Sequence, residues 1–145
     1  MTQEDKELLL VDLCARFPYG VKIQYDSQAC KLVAVNDDYT VLLLGEDGHK
    51  PNIEDDLFLD IEKAKPYLRS MSSMTEEEEE QWEGFMMPTS YFDYENNGLK
   101  AAVFWDELSN AIDWLNAHHF DYRGLIEKGL ALVAPEGMYG KGEQQ

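Results

Sequence analysis

The middle of this chain carries a block of negative charge that no local cation balances. Residues 70–99 contain no lysine or arginine and eight acidic residues, five of them consecutive, Glu76–Glu80. Such a charge disfavours compaction through self-repulsion, and it favours solubility and the attraction of basic partners. A fold must form in spite of it. The 145 residues are 44% hydrophobic and 12% aromatic, which is enough for the core of a single domain.

The net charge of −17 excludes several classes of function. Direct nucleic-acid binding requires clustered lysine and arginine, which this chain lacks, and an anionic membrane surface is disfavoured for the same reason. No stretch approaches the about 20 apolar residues of a membrane span. The first residues, MTQEDKELLL, place acids where a signal peptide needs bases, and two cysteines are too few for a disulfide framework. We therefore expect a cytoplasmic protein.

The first part of the chain, residues 1–69, predicts one helix followed by a small sheet. Thr2 can cap a helix that runs to Arg16, and the Pro18-Tyr19-Gly20 sequence stops it. From Val21 to about Ile61 the hydrophobic period changes to two, with turn residues between short runs. Four antiparallel strands are predicted there, at about 21–25, 31–36, 40–44 and 57–61. We expect a meander or an SH3-like half-barrel.

The remaining residues predict an acidic helix, a long loop and a helical end. Thr75 and Glu78 match a capping box, which predicts a short helix to about Glu83, and residues 84–98 predict an aromatic-rich loop. Beyond residue 100, the pattern predicts helices over 106–118 and 121–128, a last strand over 130–133, and a frayed tail over 140–145. The sequence thus predicts one α+β domain over 1–145, divided into 1–69, 70–99, 100–139 and the tail, with the C-terminal helices packed on the sheet.

Three blocks of the sequence have a familiar character: LLLVDLCARFPYGVK (residues 8–22), PYLRSMSSMTEEE (66–78) and DWLNAHHFDYRGLIEKGLALVAPEGMY (113–139). They resemble blocks of small uncharacterised proteins from gut Bacteroidales and from the phages or mobile elements they carry. The resemblance implies a bacterial or phage cytoplasm and an accessory role. It carries over no active site.

The best candidate site is the acidic run together with the aromatic residues that follow it. Aromatic and methionine side chains dominate protein–protein hot spots, and acidic residues steer a basic partner. The alternative is that the aromatic residues fill the core; for Tyr91, Phe92 and Tyr94 the two interpretations are evenly matched. The candidate interaction residues are Glu76, Glu77, Glu78, Glu79, Glu80, Trp82, Phe85, Tyr91, Phe92 and Tyr94. Their expected partner is a protein with a basic surface, and a homo-oligomer stays open.

No motif for catalysis, metal or cofactor binding stands out, so none is assigned. Neighbouring histidines such as His118 and His119 point in different directions, unlike the i, i+4 pair of a metal site. Two other functions remain open. One is an enzyme whose site is assembled from dispersed residues such as His119, Asp121 and Tyr122. The other is a nucleic-acid mimic that occupies a DNA-binding host protein, although five adjacent glutamates wrap around a helix instead of lining up.

Overall fold

The computed structural model of the chain describes residues 1–45, 58–86 and 108–139. The predicted turn beyond residue 45, the aromatic loop beyond residue 86, with Tyr91, Phe92 and Tyr94, and the tail 140–145 lie outside the described residues. Within those ranges the structure consists of helices beside one mostly antiparallel sheet. The predicted α+β class is confirmed.

The first helix, α1 (Gln3–Arg16), has the predicted bounds and the predicted cap. Thr2 Oγ1 accepts a hydrogen bond from the Asp5 amide at 3.0 Å, and the Thr2 amide donates to the Asp5 carboxylate at 3.3 Å. The chain then makes a 3-10 turn over Phe17–Tyr19 and leaves it at Gly20, whose φ of 72° suits glycine. The Phe17 amide still donates to the Leu13 carbonyl, but the Phe17 side chain is 45% exposed.

The sheet has six strands, one more than the predicted meander of four and the predicted last strand together. The strands are β1 (Lys22–Tyr25), β2 (Gln28–Val35), β3 (Thr40–Gly45), β4 (Leu59–Asp60), β5 (Lys65–Leu68) and β6 (Leu132–Val133). Their order in the sheet is β4-β3-β2-β1-β5-β6. The first four form the predicted meander of antiparallel neighbours. Strand β5 is not among the predicted strands, and it contains a proline, Pro66. Proline removes only one donor from the ladder, and Pro66 pairs with Ile23 while its ring is buried.

The C-terminal part returns to the sheet and closes one side of the core. Strand β6 runs parallel to β5, close to the predicted position of the last strand. A third helix, α3, is described over residues 108–117, within the predicted 106–118. The core packs apolar residues of α1, the sheet and the segment after α3 against one another. Its fully buried members include Leu9, Leu13, Ile23, Leu68 and Leu125.

The predicted helix over 121–128 is wrong, because the chain forms a turn there. The Asp121 carboxylate accepts hydrogen bonds from the amides of Leu125 and Ile126, at 2.9 and 3.0 Å. Gly124, which lies between Asp121 and Leu125, has a φ of +76°, a left-handed conformation that does not occur within a right-handed α-helix. The carboxylate therefore caps a turn over 125–129 instead of a helix.

Of the helices in the described ranges, none is both long enough and apolar enough to cross a bilayer.

Candidate interaction surface

The acidic helix, α2 (Glu76–Met86), begins where the capping box predicts. The Glu78 amide donates to Thr75 Oγ1 at 3.1 Å, and the Thr75 amide donates to the Glu78 carboxylate at 2.9 Å. The helix continues three residues past the predicted end at Glu83, so Gly84 and Phe85 are helical instead of lying in a loop. The contacts of Trp82 and Phe85 with α3 supply the packing that offsets the poor helix propensity of Gly84.

One side of α2 faces the body of the protein. Glu78, Trp82 and Phe85 are spaced i, i+4 and i+7, which places them on the same side of a helix. Trp82 stacks on Trp114 of α3 with ring centroids 6.1 Å apart, and the Phe85 ring lies 5.9 Å from that of Trp114. Trp114 in turn stacks on Phe120 at 5.7 Å. The two aromatic candidates within the described residues therefore pack partly on the fold, and both are half-buried.

Glu78 is the one residue of the Glu76–Glu80 run that is buried against the body of the protein. Both of its carboxylate oxygens accept from the Arg69 guanidinium, at 2.8 and 2.6 Å. Burial by itself would raise the pKa of Glu78. The hydrogen bonds from Arg69 and from the Thr75 amide, with the positive charges of Arg69 and His118, more than offset it, so the pKa is lowered. Glu78 is thus an ionised anchor of α2.

The opposite side of α2 presents a continuous acidic stripe. Glu76, Glu79, Glu80 and Glu83 are spaced at i, i+3, i+4 and i+7, and all four are exposed. Among the residues that the structure describes, none of these carboxylates has an ion-pair partner. We call these four residues the acidic stripe; at about 1.5 Å per residue it is about 10 Å long. Glu77 is also exposed, on the flank of the stripe.

The alignment of the stripe depends on Glu83, which lies outside the run of five glutamates. Taken alone, Glu76–Glu80 do wrap around the helix, as the sequence indicates. Glu83 extends the outer face by another turn, while Glu78 turns inward to Arg69. The result is a helix with an anchored side and a charged side, which the spacing could have predicted if Glu83 had been counted with the run.

The residues of the dispersed catalytic hypothesis make separate contacts. The His119 ring is buried and stacked on Tyr139, with centroids 3.7 Å apart. Asp121 caps the turn described above, and the Tyr122 hydroxyl donates to Asn116 at 2.8 Å. Burial lowers the pKa of His119 to about 3, helped by positive charge from Arg16, His118, Arg69 and Lys22. These contacts give the three side chains structural roles.

Metal binding has no geometric support in the part of the chain that the structure describes, since no three histidine, cysteine, aspartate or glutamate side chains there could hold an ion. His118 instead places its Nδ1 atom 2.9 Å from the Trp114 carbonyl oxygen. Its ring lies 4.4 Å from that of Trp114. His118 therefore packs with Trp114 and Phe120, the rings that lie beneath Trp82 and Phe85 of α2.

Sequence reasoning missed a buried ionic network between α1 and the C-terminal segment. Asp12 and Arg16 are both fully buried, and their side chains bond at 2.8 Å. Arg123 donates to the other Asp12 oxygen at 2.7 Å, and Arg16 also donates to the Phe120 carbonyl at 2.6 Å. The available signal was the i, i+4 spacing of Asp12 and Arg16 beside Leu9 and Leu13, which places opposite charges on the apolar side of α1.

Comparison of the chain with protein families, with curated proteins and with solved structures found no match.

Proposed function

We propose that this chain is a non-enzymatic interaction protein whose acidic stripe binds the basic surface of another protein. The observation that carries the proposal is the division of α2 into two sides. Its inner side is fixed by Arg69 and Trp114, and its outer side presents four carboxylates without a described cation. Aligned exposed charge on an anchored helix increases the rate at which a basic partner is met and orients the encounter.

The setting of this interaction follows from the sequence. We propose a cytoplasmic accessory protein of a bacterium, phage or mobile element, on the basis of the resemblance of three sequence blocks. The partner would carry clustered lysine or arginine side chains. The rings of Trp82 and Phe85 lie on the inner side of α2, where they are half-buried and pack on Trp114, so they position the stripe.

Neutralising the stripe tests the proposal. The variant E76Q/E79Q/E80Q/E83Q should lose affinity for the basic protein that the wild-type chain captures from its host lysate. Exposed ion pairs contribute about 0.2–1 kcal/mol each, so losing four should weaken binding by about tenfold or more at low salt. Titration of the purified partner at about 50 mM and about 200 mM salt measures the loss, which should shrink as screening increases.

A matched control separates the stripe from total charge. The variant E7Q/D37N/E127Q/E136Q removes four exposed acids from elsewhere on the surface and gives the same net charge. It should bind nearly as well as the wild type. Equal weakening by both variants would show that only bulk charge matters, and unchanged binding by the stripe variant would remove the stripe from the interface.

The alignment of the stripe also supports a second candidate, a nucleic-acid mimic. Four charges over about 10 Å approach the spacing of a duplex, which carries one charge per about 3.4 Å on each strand. If the captured partner is a DNA-binding protein, we expect the chain and a duplex oligonucleotide to compete for it. Simultaneous binding of both, seen by fluorescence anisotropy of the labelled duplex, would reject mimicry and leave the protein–protein interaction in place.

A further inference from the structure

The attachment of α2 to the body is concentrated in a few side chains. Among the described residues, its polar contacts with the body are the two Arg69–Glu78 hydrogen bonds and one from Trp114 Nε1 to the Gln81 side chain, at 3.0 Å. The aromatic packing of Trp82 and Phe85 adds apolar contact. Strand ladders, by contrast, hold β1, β2 and β3 to each other along their length. The helix is therefore a candidate for local opening.

The helix is also weak by itself. Its eleven residues are fewer than the about 12–15 at which isolated helices become even marginally stable. Glu76 with Glu80, and Glu79 with Glu83, place like charges at i, i+4, and each such pair opposes the helix. The last turn contains no basic residue that could interact with the helix dipole. Detached from the body, α2 should lose its helical conformation.

The docking of α2 on the body and the capping of its first turn both depend on the Glu78 side chain. The Glu78 oxygen that accepts from the Thr75 amide also accepts from Arg69 Nη2, so the residue that caps α2 is the one that ties it to the body. Arg69 is fixed independently of α2. Its amide donates to the His119 carbonyl, its carbonyl accepts from the Asp121 amide, and its guanidinium lies 4.2 Å over the Phe120 ring.

We propose that the Arg69–Glu78 pair is a latch that holds α2 both helical and docked, and that α2 opens as a unit while the rest of the fold stays intact. Repulsion within the acidic stripe opposes the latch, and cations on the stripe relieve that repulsion. Binding of a basic partner should therefore favour the latched state, by linkage. This last link rests on the proposed function, whereas the latch itself does not.

Hydrogen exchange on the full chain tests the latch. In E78Q the amides of residues 79–85 should exchange about tenfold faster or more than in the wild type, because a hydrogen bond to a charged group is lost at the cap. The amides of β1, β2 and β3 should exchange as before. The matched control is E79Q, which removes the same charge one residue further on and should leave exchange of α2 equal or slower.

Three results would overturn the latch. In the first, α2 of E78Q exchanges as slowly as α2 of the wild type. In the second, E78Q loses protection equally in α2 and in the sheet. In the third, α2 of the wild type already exchanges at the rate of an unstructured chain.

Tetralysine serves as the probe for the link between the latch and a partner. It should slow exchange of α2 in the wild type but not in the stripe variant, and no slowing would overturn the link alone. Because E78Q and E79Q are compared without a partner, the latch can fail or hold whatever the capture experiment gives.

Discussion

Replacing Asp12 with asparagine is expected to lower the free energy of unfolding by about 3–5 kcal/mol, the range found when one partner of a buried ion pair is removed. Asp12 is fully buried and bonds two guanidinium groups, those of Arg16 and Arg123. Its removal leaves Arg16 with no counter-ion within its fully buried site. The Arg16 Nη1 atom has no hydrogen-bond partner among the described residues. Without the Asp12 carboxylate, the buried guanidinium keeps the Phe120 carbonyl as an acceptor, which carries no charge.

Two further variants test whether the loss in free energy of unfolding depends on how deeply the ion pair is buried. The Arg123 side chain is 20% exposed and can turn toward solvent, so R123Q should cost less than D12N. The Lys6–Glu62 pair spans 4.0 Å at the surface, and E62Q should cost at most about 1 kcal/mol. Urea unfolding monitored by tryptophan fluorescence gives all three values. If D12N costs no more than E62Q, the network does not contribute to stability as the burial indicates.

Local signals in the sequence predicted local structure well. Thr2, and Thr75 with Glu78, each specify a helix cap through contacts within a few residues, and both caps are present. Strands β1, β2 and β3 are likewise sequence neighbours joined by short turns. Such elements depend on interactions that the sequence order displays directly.

The sequence did not predict the contacts between segments that lie far apart along the chain. Strand β5 pairs with β1, and β6 pairs with β5 across more than sixty residues of chain, so neither assignment follows from a turn. The inward turn of Glu78 depends on Arg69, and the role of Arg69 depends on Phe120. The acidic helix was therefore predicted from the sequence, but its division into an anchored and a charged side depends on tertiary contacts that the sequence order does not show.

Acidification should destabilise the fold through His119. Its side chain is buried on Tyr139, its Nδ1 atom has no hydrogen-bond partner among the described residues, and positive charges surround it. The folded state therefore holds the ring neutral, with a pKa of about 3 against the ordinary value of 6.5. Above pH 6.5 the ring is neutral in both states. As the pH falls below 6.5, the unfolded chain binds a proton that the folded chain does not, so stability is lost progressively down to about pH 3.

Between pH 7 and pH 5 this linkage should cost about 2 kcal/mol. In the same interval, protonation of surface carboxylates begins to relieve the self-repulsion of a chain with net charge −17, which acts in the opposite direction. The effect of His119 is therefore measured as the difference between the wild type and H119N. Asparagine suits the variant because the residue has a φ of 64°, a conformation that asparagine tolerates.

Urea unfolding at pH 7 and at pH 5 provides the four free energies of unfolding that this comparison needs. H119N should be less stable than the wild type at pH 7, because it loses the stack on Tyr139, but it should lose about 2 kcal/mol less on going to pH 5. The core variant L43V is the control for general destabilisation. It keeps His119 and should keep the wild-type dependence on pH. Parallel pH dependence in the wild type and H119N would show that His119 does not remain neutral in the folded protein, and would assign any acid sensitivity to other groups.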